Sequence, residues 1–155
     1  MNLRFADEHD AAACLAIYAQ YIDTSITFET VLPSEAEFSG RIRSYGAVYP
    51  WLIAEEDGHV LAYAYAHRAQ ERAAYDWNAE LSVYVSKNAA GRGLGTRLYR
   101  ALLALLKERG VLDRFDGGVA SCEVHINKPD PRIYQALLDQ YGLKASECVF
   151  IDDNL

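Results

Sequence analysis

The stretch AELSVYVSKNAAGRGLGTRLYRALLALLKERG, residues 79–110, decides the fold. Its first seven residues alternate between the two faces of an extended chain, which predicts a strand. Three glycines within five residues follow, and a leucine-rich helix begins directly after them. Backbone N–H groups at a helix start can bind an anion, because they lack intrahelical acceptors and lie at the positive end of the helix dipole. The stretch therefore predicts a strand, an anion-binding turn from Gly91 to Thr96 and a long helix.

The glycine turn does not match two common nucleotide-binding motifs. The Walker motif needs a Lys-Ser or Lys-Thr pair after its glycines, and the dinucleotide fingerprint GxGxxG needs glycine where this chain has Leu94 or Thr96. One alternative stays open, in which the glycines only give the helix a flexible start. Arg92 adds a cation that can bind a phosphate or face the solvent.

The other segments predict a mixed α/β pattern with an antiparallel first half. Ser34 and Glu37 form a capping box at a helix start, Asp57-Gly58 predicts a hairpin turn, and Asp7 or Asp10 can cap an earlier helix. The expected elements are, in chain order, a strand at 1–6, a helix at 7–23, a β-prone segment at 25–30, a helix at 33–46, the hairpin at 49–68, a strand at 78–86, a helix ending at Gly110, a strand at 119–126, a helix at 130–143 and a strand at 148–152.

Composition indicates an ordinary globular domain without a metal. The 155 residues are 51% hydrophobic and 24% charged, which favours a single domain, 1–155. The polar N-terminus is unlike a signal peptide and no apolar run is long enough for a membrane span, so we expect a cytoplasmic protein without a membrane partner. The net charge of −7 disfavours nucleic acid as a partner. The three cysteines and four histidines show no metal-ligand spacing, and we expect reduced thiols.

Residues 82–110 resemble the pyrophosphate-binding motif of the GNAT superfamily of acyl-CoA N-acetyltransferases. The family pattern is Gln/Arg-x-x-Gly-x-Gly/Ala. Gly93 and Gly95 fit this pattern, and Ala90 stands where the family has Gln or Arg. The segments ITFET and AYAYAHRAQERAAYDWNAELSVYV also resemble the phosphinothricin N-acetyltransferase branch, so the resemblance covers about residues 2–112.

The resemblance implies an α/β fold of the GNAT type, which is a mixed, mostly antiparallel sheet with helices on both faces. It implies acetyl-CoA as the cosubstrate and no metal. It also implies a cradle for the pyrophosphate of coenzyme A and a strand that pairs with its pantetheine arm. The cradle would consist of Gly91, Arg92, Gly93, Leu94, Gly95 and Thr96, and the strand backbone of Val83, Tyr84 and Val85.

Glu80 is the expected general base for removing a proton from the amine. Its strand is apolar, and desolvation there would raise the proton affinity of the carboxylate. The resemblance implies the same role, because the branch has its proposed base at this position. The alternative is an outward-facing strand residue. Alternation places Glu80, Ser82 and Tyr84 on one face of the strand.

Four aromatic residues are candidates for the wall of an amine pocket, because aromatic side chains commonly line small-ligand sites. They are Phe28, Tyr75, Trp77 and Tyr84. The alternative for each is an ordinary core position, since the chain contains eleven tyrosines.

The segment after about residue 112 resembles a different family. The residues of 113–155 are similar to the C-terminal part of a haloacid dehalogenase-type hydrolase, in which Lys128 would neutralise a phosphate and Asp152 and Asp153 would bind magnesium. The chain lacks the DxD motif that carries the nucleophile of such hydrolases. Asn127 and Tyr134 keep the spacing of the acetyltransferase tail, which implies coenzyme binding for Asn127 and protonation of the leaving thiolate for Tyr134.

These observations predict a GNAT-type N-acetyltransferase, with residues 113–155 completing the domain as strand, helix and strand. It would transfer acetyl from acetyl-CoA to a primary amine of a small molecule, such as phosphinothricin or methionine sulfoximine. The alternatives are a dehalogenase-type phosphatase fragment and a chimera that binds coenzyme A with impaired catalysis. The sequence leaves open whether the protein forms a homodimer.

Overall fold

A computed structural model describes residues 1–27, 29–71, 79–108, 119, 124–126 and 130–149. The chain divides into two compact units, Met1–Arg114 and Phe115–Leu155. Among the described residues, no helix is both long enough and apolar enough to span a bilayer.

The first unit contains a four-stranded antiparallel sheet in the order β1-β2-β3-β4. The strands are β1 (Asn2–Phe5), β2 (Trp51–Glu56), β3 (His59–Arg68) and β4 (Ala79–Val85). Asp57 and Gly58 join β2 to β3 with φ angles of 51° and 77°. Positive φ at both central residues suits the right-handed twist of a two-residue hairpin, and Asp-Gly is a favoured pair there. The predicted hairpin is confirmed.

Three helices pack on the two faces of this sheet: α1 (Ala11–Tyr18), α2 (Glu35–Gly46) and α3 (Leu94–Glu108). Residues of α1 and α2 share one core cluster with Trp51, Ile53 and Tyr63. The second cluster joins α3 to the other face of the sheet. The expected fold class, a mostly antiparallel sheet with helices on both faces, is confirmed.

A leucine ridge fixes the position of α3. Leu94, Leu98, Leu102 and Leu106 repeat every four residues, so they share one face of the helix, and all four are at most 3% exposed. This ridge packs against alanines and small aliphatic side chains of the sheet, among them Ala62. The sequence periodicity therefore determines both the helix and the face that it buries.

Capping residues determine where helices α1 and α2 begin on the face of the sheet opposite to α3. The Ser34 hydroxyl accepts a hydrogen bond from Glu37 N–H, and the Glu37 carboxylate accepts one from Ser34 N–H, so the predicted capping box is confirmed. Asp7 caps a short 3-10 turn at Glu8–Asp10, which runs directly into α1. Helix α1 ends earlier than its apolar stripe predicts, at Tyr18, and turns follow to Ile26.

The β-prone segment 25–30 is not a strand in its described residues. Hydroxyl side chains bind nearby backbone groups instead: Ile26 N–H donates to Thr24 Oγ1 and Glu29 N–H donates to Thr27 Oγ1, both at 3.3 Å. Such local hydrogen bonds compete with ladder pairing. The strand prediction was therefore wrong for these residues, and Phe28 lies outside the described part of the chain.

The second unit contains helix α4 (Pro131–Tyr141). Asp130 caps its start by accepting from Arg132 N–H at 3.0 Å, and Gly142 ends it in the left-handed region with φ 62°. The strand expected at 119–126 is absent at its described end, where His125 has φ 55°. A left-handed residue interrupts the alternation that a strand requires. The rest of that segment, except Val119, lies outside the described residues.

Candidate active site on the edge strand

Strand β4 presents an edge that no other described strand pairs with. Ser86 N–H donates to Leu61 C=O at 2.8 Å, in the register that pairs Tyr84 with Tyr63. Backbone groups of successive residues point to opposite edges of a strand. The N–H and C=O groups of Val83 and Val85 therefore point to the edge away from β3, while those of Tyr84 point to β3.

One of these outward groups already has a partner within the first unit. The Tyr21 hydroxyl donates to Val85 C=O at 2.5 Å. Within the part of the chain that the structure describes, the outward N–H of Val85 and both outward groups of Val83 have no backbone partner, so they can pair with an added chain. An extended ligand along this edge would thus bind as an extra strand does, through main-chain hydrogen bonds.

The glycine turn connects this edge to α3. Gly91 has φ 77° and Gly93 has φ 74°, so both occupy the left-handed region that an L side chain rarely adopts. The first intrahelical hydrogen bond runs from Arg97 N–H to Gly93 C=O at 3.1 Å. The N–H groups of Leu94 to Thr96 precede it and have no intrahelical acceptor. The turn therefore offers the row of donors that an anion site needs.

Gly95 brings the helix start against the edge strand. A Cβ built on Gly95 would lie 3.6 Å from Val85 Cγ2 and 3.7 Å from Val83 Cγ1. The start of α3 therefore lies against the edge strand, on the face that carries the Val83 and Val85 side chains. A ligand with a phosphate at one end and an extended arm would meet both.

Arg92 has a partner of its own. Its guanidinium lies 2.7 Å from Glu56 Oε2, and the terminal amine of Met1 lies 3.9 Å from the same carboxylate. The hydrogen bond from Arg92 lowers the pKa of Glu56. Arg92 is thus neutralised by Glu56, and a phosphate would compete with that carboxylate for it.

Glu80 lies on β4 with its side chain 56% exposed. The expectation that this carboxylate is partly desolvated is wrong for the described surroundings, because the carboxylate reaches solvent. Its neighbour across the β3–β4 ladder is His67, whose Nε2 lies 3.9 Å from Glu80 Oε2. The expected role of Glu80 therefore depends on its position and on this neighbour, and not on burial.

Tyr84 belongs to the core of the first unit. Its residue exposure is 8%, and its ring packs edge-on against Tyr18, with ring centroids 5.1 Å apart, and against Tyr21 and Tyr63. Burial raises the pKa of Tyr84 to about 12. Of the two sequence interpretations, core and pocket wall, the packing favours the core.

A polar cluster beside Tyr84 was not predicted from the sequence. The Tyr18 hydroxyl contacts Thr27 Oγ1 and donates to Glu29 Oε2 at 2.8 Å. Arg41 binds both carboxylate oxygens of Glu29, at 2.6 and 3.2 Å, and its hydrogen bonds lower the pKa of Glu29. Glu29 and Arg41 also line a pocket of about 380 Å³. The pair is separated by twelve residues, and no sequence periodicity links a loop carboxylate to a helix cation.

The remaining candidates fall elsewhere. Tyr134 lies on α4 in the second unit, where it lines an apolar pocket of about 420 Å³ with Leu137, Leu138, Cys148 and others. The candidates outside the described residues are Phe28, Tyr75, Trp77, Asn127, Lys128, Asp152 and Asp153. Within the described ranges, no three His, Cys, Asp or Glu side chains are grouped as a metal site would require.

Known proteins similar to this chain carry acetyltransferase names. A phosphinothricin N-acetyltransferase of Streptomyces viridochromogenes is 36% identical over 138 residues, which cover 88% of this chain and 73% of that protein. An L-methionine sulfoximine/L-methionine sulfone acetyltransferase of Salmonella typhimurium is 30% identical, with 66% and 61% covered. A GNAT superfamily phosphinothricin acetyltransferase from Sinorhizobium meliloti, whose crystal structure was solved in complex with acetyl-CoA, is 34% identical in sequence. The two structures superimpose with a TM-score of 0.64, and the match covers 67% of this chain and 58% of that one.

The C-terminal segment has a different relative. A stretch of 44 residues is 52% identical to mouse acyl-CoA dehydrogenase family member 10, and covers 27% of this chain and 4% of that protein. That name does not describe a dehalogenase-type hydrolase. The resemblance of residues 113–155 to such hydrolases remains a hypothesis.

The family model for acetyltransferases of the GNAT family matches residues 16–138. The match includes the edge strand, the glycine turn and α3, which together form the candidate site. It also extends into α4. The chain belongs to the acetyltransferase (GNAT) family.

Proposed function

We propose that this protein transfers an acetyl group from acetyl-CoA to the primary amine of a small molecule. The observation that carries the proposal is the contact between the glycine turn and the edge strand. The free N–H groups after Gly93 suit the pyrophosphate of coenzyme A, and the outward backbone of Val83 and Val85 suits its pantetheine arm. The Sinorhizobium relative was solved with acetyl-CoA, which supports the same ligand here.

The donors of the proposed cradle are main-chain groups. We assign the pyrophosphate to the N–H groups from Gly91 to Thr96, with Arg92 contributing only when it leaves Glu56. The proposed arm site uses Val83 and Val85, while the backbone of Tyr84 is occupied by β3. Asn127 would add a contact to the coenzyme. A pantetheine arm placed along β4 would carry the thioester toward the substrate amine beside Glu80, which lies on the same strand.

Acetyl transfer needs a group that takes a proton from the amine, because an ammonium nitrogen has no lone pair for attack on the thioester carbonyl. We assign this role to Glu80. The attack forms a C–N bond and breaks the C–S bond. Tyr134 would give a proton to the departing thiolate and would regain the proton that the new amide nitrogen loses. Tyr84 would act indirectly, by fixing the β4 backbone through its buried ring.

We propose an amino-acid-like amine as the acceptor. The names of the Streptomyces and Salmonella relatives support phosphinothricin and methionine sulfoximine. Phe28, Tyr75 and Trp77 would line the amine pocket. No metal takes part in this mechanism, and we expect a cytoplasmic enzyme that needs neither nucleic acid nor a membrane.

Calorimetry with acetyl-CoA tests the proposed cradle. We expect Gly93→Ala to weaken acetyl-CoA binding by roughly tenfold or more, because a left-handed φ costs an L residue about 1–2 kcal/mol. Gly40→Ala in α2 is the matched control, since a Cβ there meets nothing within 4 Å and the backbone is helical. Equal affinity of the two variants would remove the cradle from the proposal.

Turnover tests the chemistry. With phosphinothricin and methionine sulfoximine as acceptors, Glu80→Gln should lower kcat on the order of 100-fold or more while acetyl-CoA affinity is unchanged. Glu108→Gln, at the exposed end of α3, is the control. No acetyl-CoA binding by the unmodified protein up to about 1 mM would contradict the proposed function as a whole.

A further inference from the structure

His67 lies directly opposite Glu80 in the β3–β4 ladder. The distance between His67 Nε2 and Glu80 Oε2 is 3.9 Å, and the two side chains are 22% and 56% exposed. Cross-strand neighbours on one face of an antiparallel pair interact directly. His67 is therefore an ionisable neighbour of the proposed base.

The imidazole ring of His67 is held in one orientation. It stacks on Tyr45 from α2, with ring centroids 5.1 Å apart, and on Tyr65 of its own strand, at 5.7 Å. His67 Nδ1 lies 2.9 Å from Arg68 C=O. A carbonyl oxygen only accepts hydrogen bonds, so Nδ1 carries the proton. In the neutral ring this leaves the lone pair on Nε2, the nitrogen that faces Glu80.

We infer that His67 is a positioning residue for Glu80 and takes from it the proton removed from the amine. This inference rests on the proposed function. Glu80 first accepts the proton of the ammonium, which leaves a neutral amine and a carboxylic acid. The acid then passes the proton to His67 Nε2, which restores the carboxylate and forms an imidazolium. The imidazolium then releases the proton to solvent, which returns both side chains to their starting protonation states.

The geometry suits a transfer that follows a small movement. A separation of 3.9 Å exceeds hydrogen-bonding distance, so the two groups do not share a proton as they stand. The His67 ring is fixed by its stacks, whereas rotation about the bonds of the exposed Glu80 side chain can close the gap. Of the residues that the structure describes, the titratable and charged groups that face the ring are Tyr45 on α2, Tyr65 and Arg68 on β3, and Glu80 on β4.

Two substitutions separate proton transfer from packing. The amide of His67→Asn can keep the donor to Arg68 C=O, and that of His67→Gln can reach Glu80, but neither accepts a proton. We expect both to lower kcat by roughly tenfold or more, with KM for the amine changed less than about twofold, and to remove one ionisation from the pH profile of kcat/KM. His59→Gln, on the exposed start of the same strand, is the control and should behave like the unmodified protein. An unchanged pH profile in both His67 variants would overturn the inference.

A second measurement does not depend on turnover. Imidazole ¹⁵N NMR of the unmodified protein should show the proton of neutral His67 on Nδ1, and Glu80→Gln should shift the Nε2 signal of His67 but not that of His59. A neutral ring protonated on Nε2 would contradict the inference even if the enzyme is active. Failure of acetyl-CoA binding would instead contradict the proposed function. The NMR result would still show whether His67 and Glu80 interact as inferred.

Discussion

At the scale of single residues, the ion pair between Arg4 and Asp10 stabilises the fold away from the candidate active site. Arg4 donates to both oxygens of Asp10, at 2.6 and 2.7 Å, and Asp10 also accepts from Asp7 N–H at 2.9 Å. Asp10 is 7% exposed. The hydrogen bonds from Arg4 lower the pKa of Asp10. The carboxylate thus ties β1 to the turn that starts α1.

Asp10→Asn should lower the free energy of unfolding by about 1.5–3 kcal/mol at neutral pH, since it removes charged hydrogen bonds from a buried group. The folded pKa lies below the ordinary value of about 3.9, so the unfolded chain binds the proton first as pH falls. The stabilisation is therefore fully present above about pH 5 and is lost as pH falls through the folded pKa. Urea unfolding from pH 7 to pH 3 measures this, with exposed Asp23→Asn as control; a difference independent of pH would contradict the assignment.

The sequence could predict residues whose role is local. Ser34 with Glu37 and Asp57 with Gly58 act within four residues, so their identities determine their geometry. The exposure of Glu80 is set by neighbours from other elements, and the pairing of Arg92 with Glu56 spans 36 residues. Such contacts follow from the register of the sheet, which residue type alone does not give.

At the scale of elements, α3 depends on one face. Leu102 is fully buried on the leucine ridge, and Leu103, its neighbour in the chain, is only partly buried. We expect Leu102→Ala to lower the free energy of unfolding by about 2–5 kcal/mol, because it removes buried methyl groups and leaves a cavity. Leu103→Ala makes the same change in helix propensity and should lower the free energy of unfolding clearly less. Denaturant unfolding of both variants measures the difference, and equal losses would contradict the assigned face.

The edge strand shows how far the sequence predicts the site. The alternation of residues 79–85 gives the strand and its two faces, and both are confirmed by the packing of Tyr84 on one side and the contacts of Gly95 on the other. The use of Val85 C=O by Tyr21 could not be foreseen, because Tyr21 lies 64 residues away in a turn that the sequence assigned to a helix.

At the scale of the whole molecule, we propose that residues 1–155 form a single domain. The family match from residue 16 to residue 138 supports it, since this match extends across the boundary between the two compact units. A single domain should unfold in one transition, with equal calorimetric and van't Hoff enthalpies. Differential scanning calorimetry of the full chain checks this. Two separate transitions would show that residues 115–155 fold independently and would favour the hypothesis of a chimera.

The close approach of Gly95 to β4 has a consequence for how this motif can vary in evolution. Gly91 and Gly93 are fixed by their backbone angles, whereas a methyl group at position 95 would make ordinary contacts with the two valines and keep the N–H group. Glycine and alanine are thus interchangeable there. A lineage could exchange those two at position 95 by neutral drift, while the two preceding glycines stay under purifying selection.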